Sequence, residues 1–136
     1  MDRRLGPALA LSGVLALAAC SGGSSESESG SGATLDTAAF ADLVDSPGVV
    51  VLDVRTADEF AAGHIPGAVN IDVSGPGFAS EVGTLDADAS YAVYCRSGNR
   101  SATAMRVMLD AGIESVAHLG GGIVAWAEAG GELTTP

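Results

Sequence analysis

Tyr91-Ala92-Val93-Tyr94-Cys95-Arg96-Ser97-Gly98-Asn99-Arg100-Ser101 is the stretch on which the fold turns. Tyr91 to Tyr94 is a short apolar run of the kind that forms a strand buried on both faces. It ends at a cysteine, crosses a polar loop and enters a helical stretch starting near Ser101 and ending at Ala111, with Gly112 as the stop signal. Gly98 permits positive φ or a close backbone approach, and Asn99 tolerates the left-handed region. Successive amides in such a turn converge into an anion-binding nest, to which the following helix adds its positive end. Arg96 and Arg100 bring two positive charges. All of these favour thiolate over thiol, lowering a cysteine pKa from its free value of about 8.5. The acidity of the rest of the chain opposes this weakly, because exposed charges beyond roughly 8–10 Å are screened at physiological salt. Cys95 is therefore expected to be a nucleophile, with Arg96, Ser97, Gly98, Asn99 and Arg100 as its anion cradle.

Outward from this loop, Val49 to Leu52, Ala68 to Ile71 and Ser115 to Leu119 read as further strands. Helices are expected at Thr37 to Val44, with Thr37 as cap, after Thr56-Ala57-Asp58-Glu59, and at Ile123 to Ala129 before Gly130-Gly131. Alternating strands and helices imply an α/β fold with a parallel sheet covered on both faces. In such sheets, sites form at the carboxyl ends of strands. Asp53 and Arg55, at the end of what reads as the central strand, are expected to support the site rather than to act in catalysis, as an ion pair that props the Cys95 loop or as a merely structural one. His64, before the turn signal Ile65-Pro66-Gly67, is expected to hydrogen-bond within that turn, and His118 to be equally structural. Trp126 reads as core. Gly120-Gly121-Gly122 lacks a phosphate-loop lysine and reads as a flexible turn before a helix.

Three motifs together resemble the single-domain rhodanese-like sulfurtransferases. Cys95-Arg96-Ser97-Gly98-Asn99-Arg100-Ser101 looks like the family's active-site loop. Leu52-Asp53-Val54-Arg55, Glu59-Phe60 and Gly63-His64-Ile65-Pro66-Gly67-Ala68 are similar to its upstream signature, and Leu119-Gly120-Gly121-Gly122-Ile123 with Trp126 and Gly130 to its C-terminal one. The resemblance implies a five-stranded, mostly parallel sheet flanked by helices on both faces. It also implies a chemistry without cofactor or metal: Cys95 takes a sulfane sulfur from a small anionic donor, forms a persulfide and passes the sulfur to cyanide or to a small or protein thiol. The loop amides would then stabilise the persulfide charge much as an oxyanion hole does. Cysteine phosphatases of related architecture place five residues between cysteine and arginine, whereas only four separate Cys95 from Arg100, a cradle suited to one sulfur atom rather than to a phosphate. The alternative from another class is a non-catalytic anion- or persulfide-binding or redox-partner lipoprotein.

The N-terminal quarter reads differently. Arg3 and Arg4 precede an uncharged run from Leu5 to Leu17 that ends in Leu17-Ala18-Ala19-Cys20, the shape of a secretory signal. The apolar run is shorter than the roughly 20 residues of a spanning helix. The small residues before Cys20 resemble a bacterial lipobox, which implies residues 1–19 as a lipoprotein signal peptide and Cys20 as the acylated mature N-terminus. Residues 21–34 hold six serines and four glycines and read as a disordered tether with an r.m.s. span of about 20 Å. Residues 35–136 form the domain. The expected location is extracytoplasmic, lipid-anchored to the bacterial cell membrane, with a monomeric domain.

Composition narrows the functional classes. The 136 residues leave room for one ordinary domain. Seventeen acidic residues against six arginines and no lysine give a net charge of −11, which argues against nucleic acid as partner because phosphate binding needs basic side chains. Two cysteines and two histidines are too few for an ordinary multi-ligand zinc site.

Overall fold

The computed structural model describes residues 32–136. The expected signal peptide, residues 1–19, Cys20 and the expected tether up to residue 31 lie outside the described residues. Five strands, β1 (Ala33–Leu35), β2 (Val49–Asp53), β3 (Val69–Asn70), β4 (Ser90–Tyr94) and β5 (Ser115–Leu119), form one sheet in the order β1-β5-β4-β2-β3. Every pairing is parallel. Five helices connect them: α1 (Thr37–Val44), α2 (Ala57–Ala62), α3 (Phe78–Val82), α4 (Asn99–Asp110) and α5 (Gly122–Glu128). The domain reaches further toward the N-terminus than the sequence implies, since Ala33 and Thr34 belong to β1 and not to the tether. The middle strand is β4, so Asp53 ends its neighbour rather than the central strand.

Side chains alternate across the sheet, and this sets which groups share a face. Leu52, Val93 and Cys95 pack with Phe78, Val82 and Ala104 of α3 and α4 on one side. Val51, Ala92 and Tyr94 pack with Phe40 of α1 and Trp126 of α5 on the other. Phe40 meets both Tyr94 and Trp126 edge-on, with ring centroids 6.3 and 6.0 Å apart. Trp126 is core as expected and donates its indole N–H to the Glu132 carbonyl.

The helix starts show where local chemistry decides. Thr56 caps α2 in a full capping box, its hydroxyl accepting from the Glu59 amide while the Glu59 carboxylate accepts from the Thr56 amide. At α1 the cap is Asp36, which accepts from the Ala39 amide, and Thr37 is the first helical residue rather than the cap. At α4 the cap is Gly98, so the helix begins at Asn99, two residues before the position the sequence implies. That early start places Cys95 directly before the N-terminal turn of a 12-residue helix.

Candidate active site

Cys95 follows the last residue of β4 and is the one free cysteine among the described residues. It is buried, 1% exposed, on the floor of a loop whose rim residues Arg96, Ser97 and Asn99 are exposed. The loop is not closed over apolar packing alone, because the Gly98 amide points at the sulfur, with N 3.1 Å from Sγ. The Ser101 hydroxyl lies 3.5 Å from the same sulfur. Burial is the largest single influence on the thiol and pushes its pKa up. The Ser101 hydroxyl and the amides of Ser101, Gly98 and Ser97 push it down and together prevail, so Cys95 ionises below the ordinary thiol range.

The cradle is held from beneath by backbone. Gly98 has φ +101°, and a Cβ there would lie 2.0 Å from the Gly120 carbonyl oxygen. Gly122 has φ +65°, and its Cβ would lie 2.1 Å from the Arg96 carbonyl oxygen. The Ile123 amide donates to the Cys95 carbonyl at 2.9 Å and the Val124 amide to the Arg96 carbonyl at 3.3 Å. Gly120-Gly121-Gly122 is therefore not a flexible turn. The Gly120 carbonyl packs against Gly98, a side chain at Gly122 would strike the Arg96 carbonyl, and the loop is seated on these two positions.

The two arginines divide. Arg96 is exposed and forms no ion pair among the described residues. Arg100 grips the Glu59 carboxylate with both guanidinium ends, at 2.8 and 3.0 Å. Its charge still acts on Cys95, but its hydrogen bonds are committed to tying α4 to α2. Hydrogen bonds from Arg100, first, and from Thr56 outweigh burial and hold the Glu59 carboxyl down from its ordinary 4.5 to about 2. With the folded value depressed, unfolded chains bind more protons between the two values. The stabilisation is complete above about 4.5 and is lost as pH falls toward about 2. Glu59→Gln is expected to lower stability by about 1–2 kcal/mol at neutral pH, the pair being partly exposed and screened, and the difference from the parent protein vanishes in strong acid. Urea unfolding across a pH series measures it, and a difference independent of pH would contradict this account.

Asp53 and Arg55 form a buried ion pair in which Arg55 Nη2 and Nε reach the carboxylate at 2.6 to 3.0 Å. Arg55 also donates to the Gly63 carbonyl at 2.7 Å and stacks over the Tyr94 ring. The pair braces the α2–β3 connection. Among the described residues it makes no hydrogen bond to the Cys95 loop, whose bonds come from Glu59 through Arg100 and from the Ile123 and Val124 amides. His64 bonds the Phe60 carbonyl through Nδ1 at 2.8 Å and stacks on the Phe60 ring, so its side chain ties back to α2 and not into the Ile65-Pro66-Gly67 turn where its hydrogen bond was expected. His118 is not idle: its Nδ1 lies 2.9 Å from the Ser101 hydroxyl oxygen. Ser101, Glu59, Gly120, Gly122 and His118 were thus missed as site residues. Only the Gly run and the Thr56–Glu59 box carried a visible signal.

No group of three or more metal-ligating side chains occurs among the described residues. The arrangement offers a buried thiol whose ionisation is favoured, inward amides and a helix N-terminus, which suits covalent chemistry on a small anionic group.

Comparisons with known proteins agree with this geometry. The family model "Rhodanese-like domain" matches residues 36–129. A sulfurtransferase of Allochromatium vinosum is 34% identical over 94 residues, 69% of this chain and 86% of that protein. The thiosulfate sulfurtransferase GlpE of Pseudomonas fluorescens is 37% identical over 79 residues, 58% of this chain and 71% of that protein. Several other relatives are longer, the aligned part spanning between 25% and 56% of their length. The crystal structure of a rhodanese-related protein from Thermoplasma volcanium superposes with a TM-score of 0.68 at 30% identity, covering 76% of this chain and 99% of that one.

Proposed function

The chain belongs to the rhodanese-like domain family, and from that premise we propose that it is a thiosulfate sulfurtransferase-like enzyme working through a Cys95 persulfide. Sulfurtransferase activity in general is supported by the family and by the relatives named for it. The observation that carries the finer reading is the Gly98 amide directed at a buried sulfur that ionises below the ordinary thiol range.

The Cys95 thiolate attacks the outer sulfur of thiosulfate. A sulfur–sulfur bond forms to Cys95 as the one in the donor breaks, and sulfite leaves with the electron pair. The negative charge moves to the terminal sulfur of Cys95–S–S⁻, where the loop amides and the α4 N-terminus stabilise it. Cyanide or a thiolate then attacks that terminal sulfur and releases the Cys95 thiolate. This is covalent, two-stroke catalysis. Arg96, exposed beside the cradle and unpaired among the described residues, draws in the anionic donor, while Arg100 chiefly maintains the loop. The purified protein is expected to form thiocyanate from thiosulfate and cyanide, and absence of thiocyanate with Cys95 fully reduced would overturn the assignment.

The same proposal extends to location. Leu17-Ala18-Ala19-Cys20 and the Ser/Gly-rich stretch after it support an exported protein acylated on Cys20 and held to the cell membrane by its acyl chains. No helix among the described residues is long and apolar enough to cross a membrane, so attachment would rest on the N-terminal segment. Cys20→Ser is expected to move the protein from the membrane to the soluble fraction, and retention at the membrane would refute lipidation at this residue.

A further inference from the structure

Behind the sulfur runs a chain of side chains that the two-stroke chemistry does not use. Parallel pairing sets Thr34 of β1 beside His118 of β5, and His118 beside Val93 of β4. Val93 shares the Cys95 face of the sheet, so the imidazole lies on that face, under the first turn of α4. Its Nε2 is 3.0 Å from Thr34 Oγ1 and its Nδ1 is 2.9 Å from Ser101 Oγ. Ser101 Oγ lies 3.5 Å from Cys95 Sγ and 3.1 Å from the Gly98 carbonyl oxygen. Ser101 is fully buried and His118 is 4% exposed, whereas Thr34 is exposed.

Proton counting gives this chain a direction. The Ser101 hydroxyl has one proton and three neighbours. The Gly98 carbonyl only accepts, and a thiolate only accepts. If Nδ1 were also bare, three acceptors would compete for one proton and the Ser101 lone pairs would go unused. If Nδ1 carries the proton, it donates to Ser101 Oγ, and the hydroxyl proton, which meets the Gly98 carbonyl while Cys95 is a thiol, is left free to turn to the sulfur once that is charged. Nε2 then accepts from Thr34, whose hydroxyl rotates freely at the exposed edge.

We propose that His118 is a positioning residue for the sulfurtransferase reaction: as the Nδ1–H tautomer, held by Thr34, it orients the Ser101 hydroxyl onto the Cys95 sulfur and so stabilises the thiolate. The proposal rests on Cys95 being the reacting thiolate. Burial lowers the His118 pKa and so favours the neutral ring, the state in which the tautomer matters. The other charges facing the sulfur are Arg100 of α4 and, through it, Glu59 of α2. Among the described residues neither hydrogen-bonds His118, so the imidazole is separable from them by substitution.

The test reads Cys95 ionisation without any sulfur donor. Iodoacetamide alkylation of the full chain is followed across pH, with the Cys95 peptide quantified by mass spectrometry so that Cys20 does not contribute. His118→Leu removes the donor and is expected to raise the midpoint by about one pH unit. His118→Asn returns an N–H near the Nδ1 position and is expected to bring the midpoint back toward that of the parent. Ser101→Ala is expected to raise it at least as far as His118→Leu, and the double variant no further, because the imidazole acts only through the hydroxyl. An unchanged midpoint in a folded His118→Leu protein, or additive shifts in the double variant, would overturn the proposal. If His118→Leu does not fold, His118→Asn and Ser101→Ala still decide it: a Ser101→Ala midpoint equal to that of the parent leaves the imidazole nothing to act through. Thiocyanate formation, measured separately, distinguishes failure of this relay from failure of the persulfide reading.

Discussion

Cys95→Ser is expected to lower thiocyanate formation by at least about 10⁴-fold, to the background of the assay, because the nucleophile itself is lost. The substitution is close to isosteric. The Gly98 amide and the Ser101 hydroxyl still have an oxygen to meet where the sulfur was, so folding is expected to survive. What does not survive is ionisation at neutral pH, since a cradle that favours a thiolate by a few hydrogen bonds does not make an alkoxide. Nor is an oxygen a competent carrier of sulfane sulfur. Urea unfolding and steady-state kinetics on one preparation separate the two effects. Turnover above a tenth of the parental rate in the serine variant would remove Cys95 from the centre of the chemistry.

Gly98→Ala is the second large effect, and its cause is steric. The added methyl would lie 2.0 Å from the Gly120 carbonyl oxygen, backbone against backbone, on a residue already at φ +101°. Neither side has a flexible end to yield, so the loop must lift from the β5–α5 turn. Lifting carries the Gly98 N–H away from the sulfur. Loss of one preorganised donor of this kind costs about 10²–10³-fold in kcat, and the Cys95 pKa rises with it. Gly48→Ala is the matched control. Gly48 also has positive φ, +76°, but nothing lies within 4 Å of the position its Cβ would take. It is expected to cost about 1 kcal/mol of stability through backbone strain alone and to leave kcat unchanged. Equal kinetic losses in the two variants would mean that general instability, not the docked loop, explains the effect.

Both expectations draw on features that were unequally legible in the amino-acid sequence. β2, β4 and β5 announce themselves as apolar, β-branched or aromatic runs, and α2 by the Thr56–Glu59 box. β1 does not, because Ala33-Thr34-Leu35 has no strand pattern of its own and exists through its pairing with β5. The five-residue α3 was equally silent, since Gly77 caps it without a side-chain hydrogen bond. At the site, Cys95 and Gly98 were readable because strand, loop and helix are consecutive in the chain. The charge of Arg100 beside Cys95 was legible, but its bond to Glu59 was not, because that partner is 41 positions away. The glycine run was visible, but the Arg96 backbone that forbids a side chain at Gly122, and the Gly120 carbonyl that forbids one at Gly98, meet only through tertiary packing. His118 looked inert for the same reason: Ser101 and Thr34 meet it across two helix–sheet and strand–strand contacts that no local pattern encodes.

Mass analysis of the protein after exposure to excess thiosulfate tests the central claim most directly. The account predicts a gain of one sulfur atom, located on the Cys95 peptide and removed by added cyanide with return of the original mass. A protein with reduced Cys95 that gains no sulfur, or that gains it only elsewhere in the chain, would contradict the account.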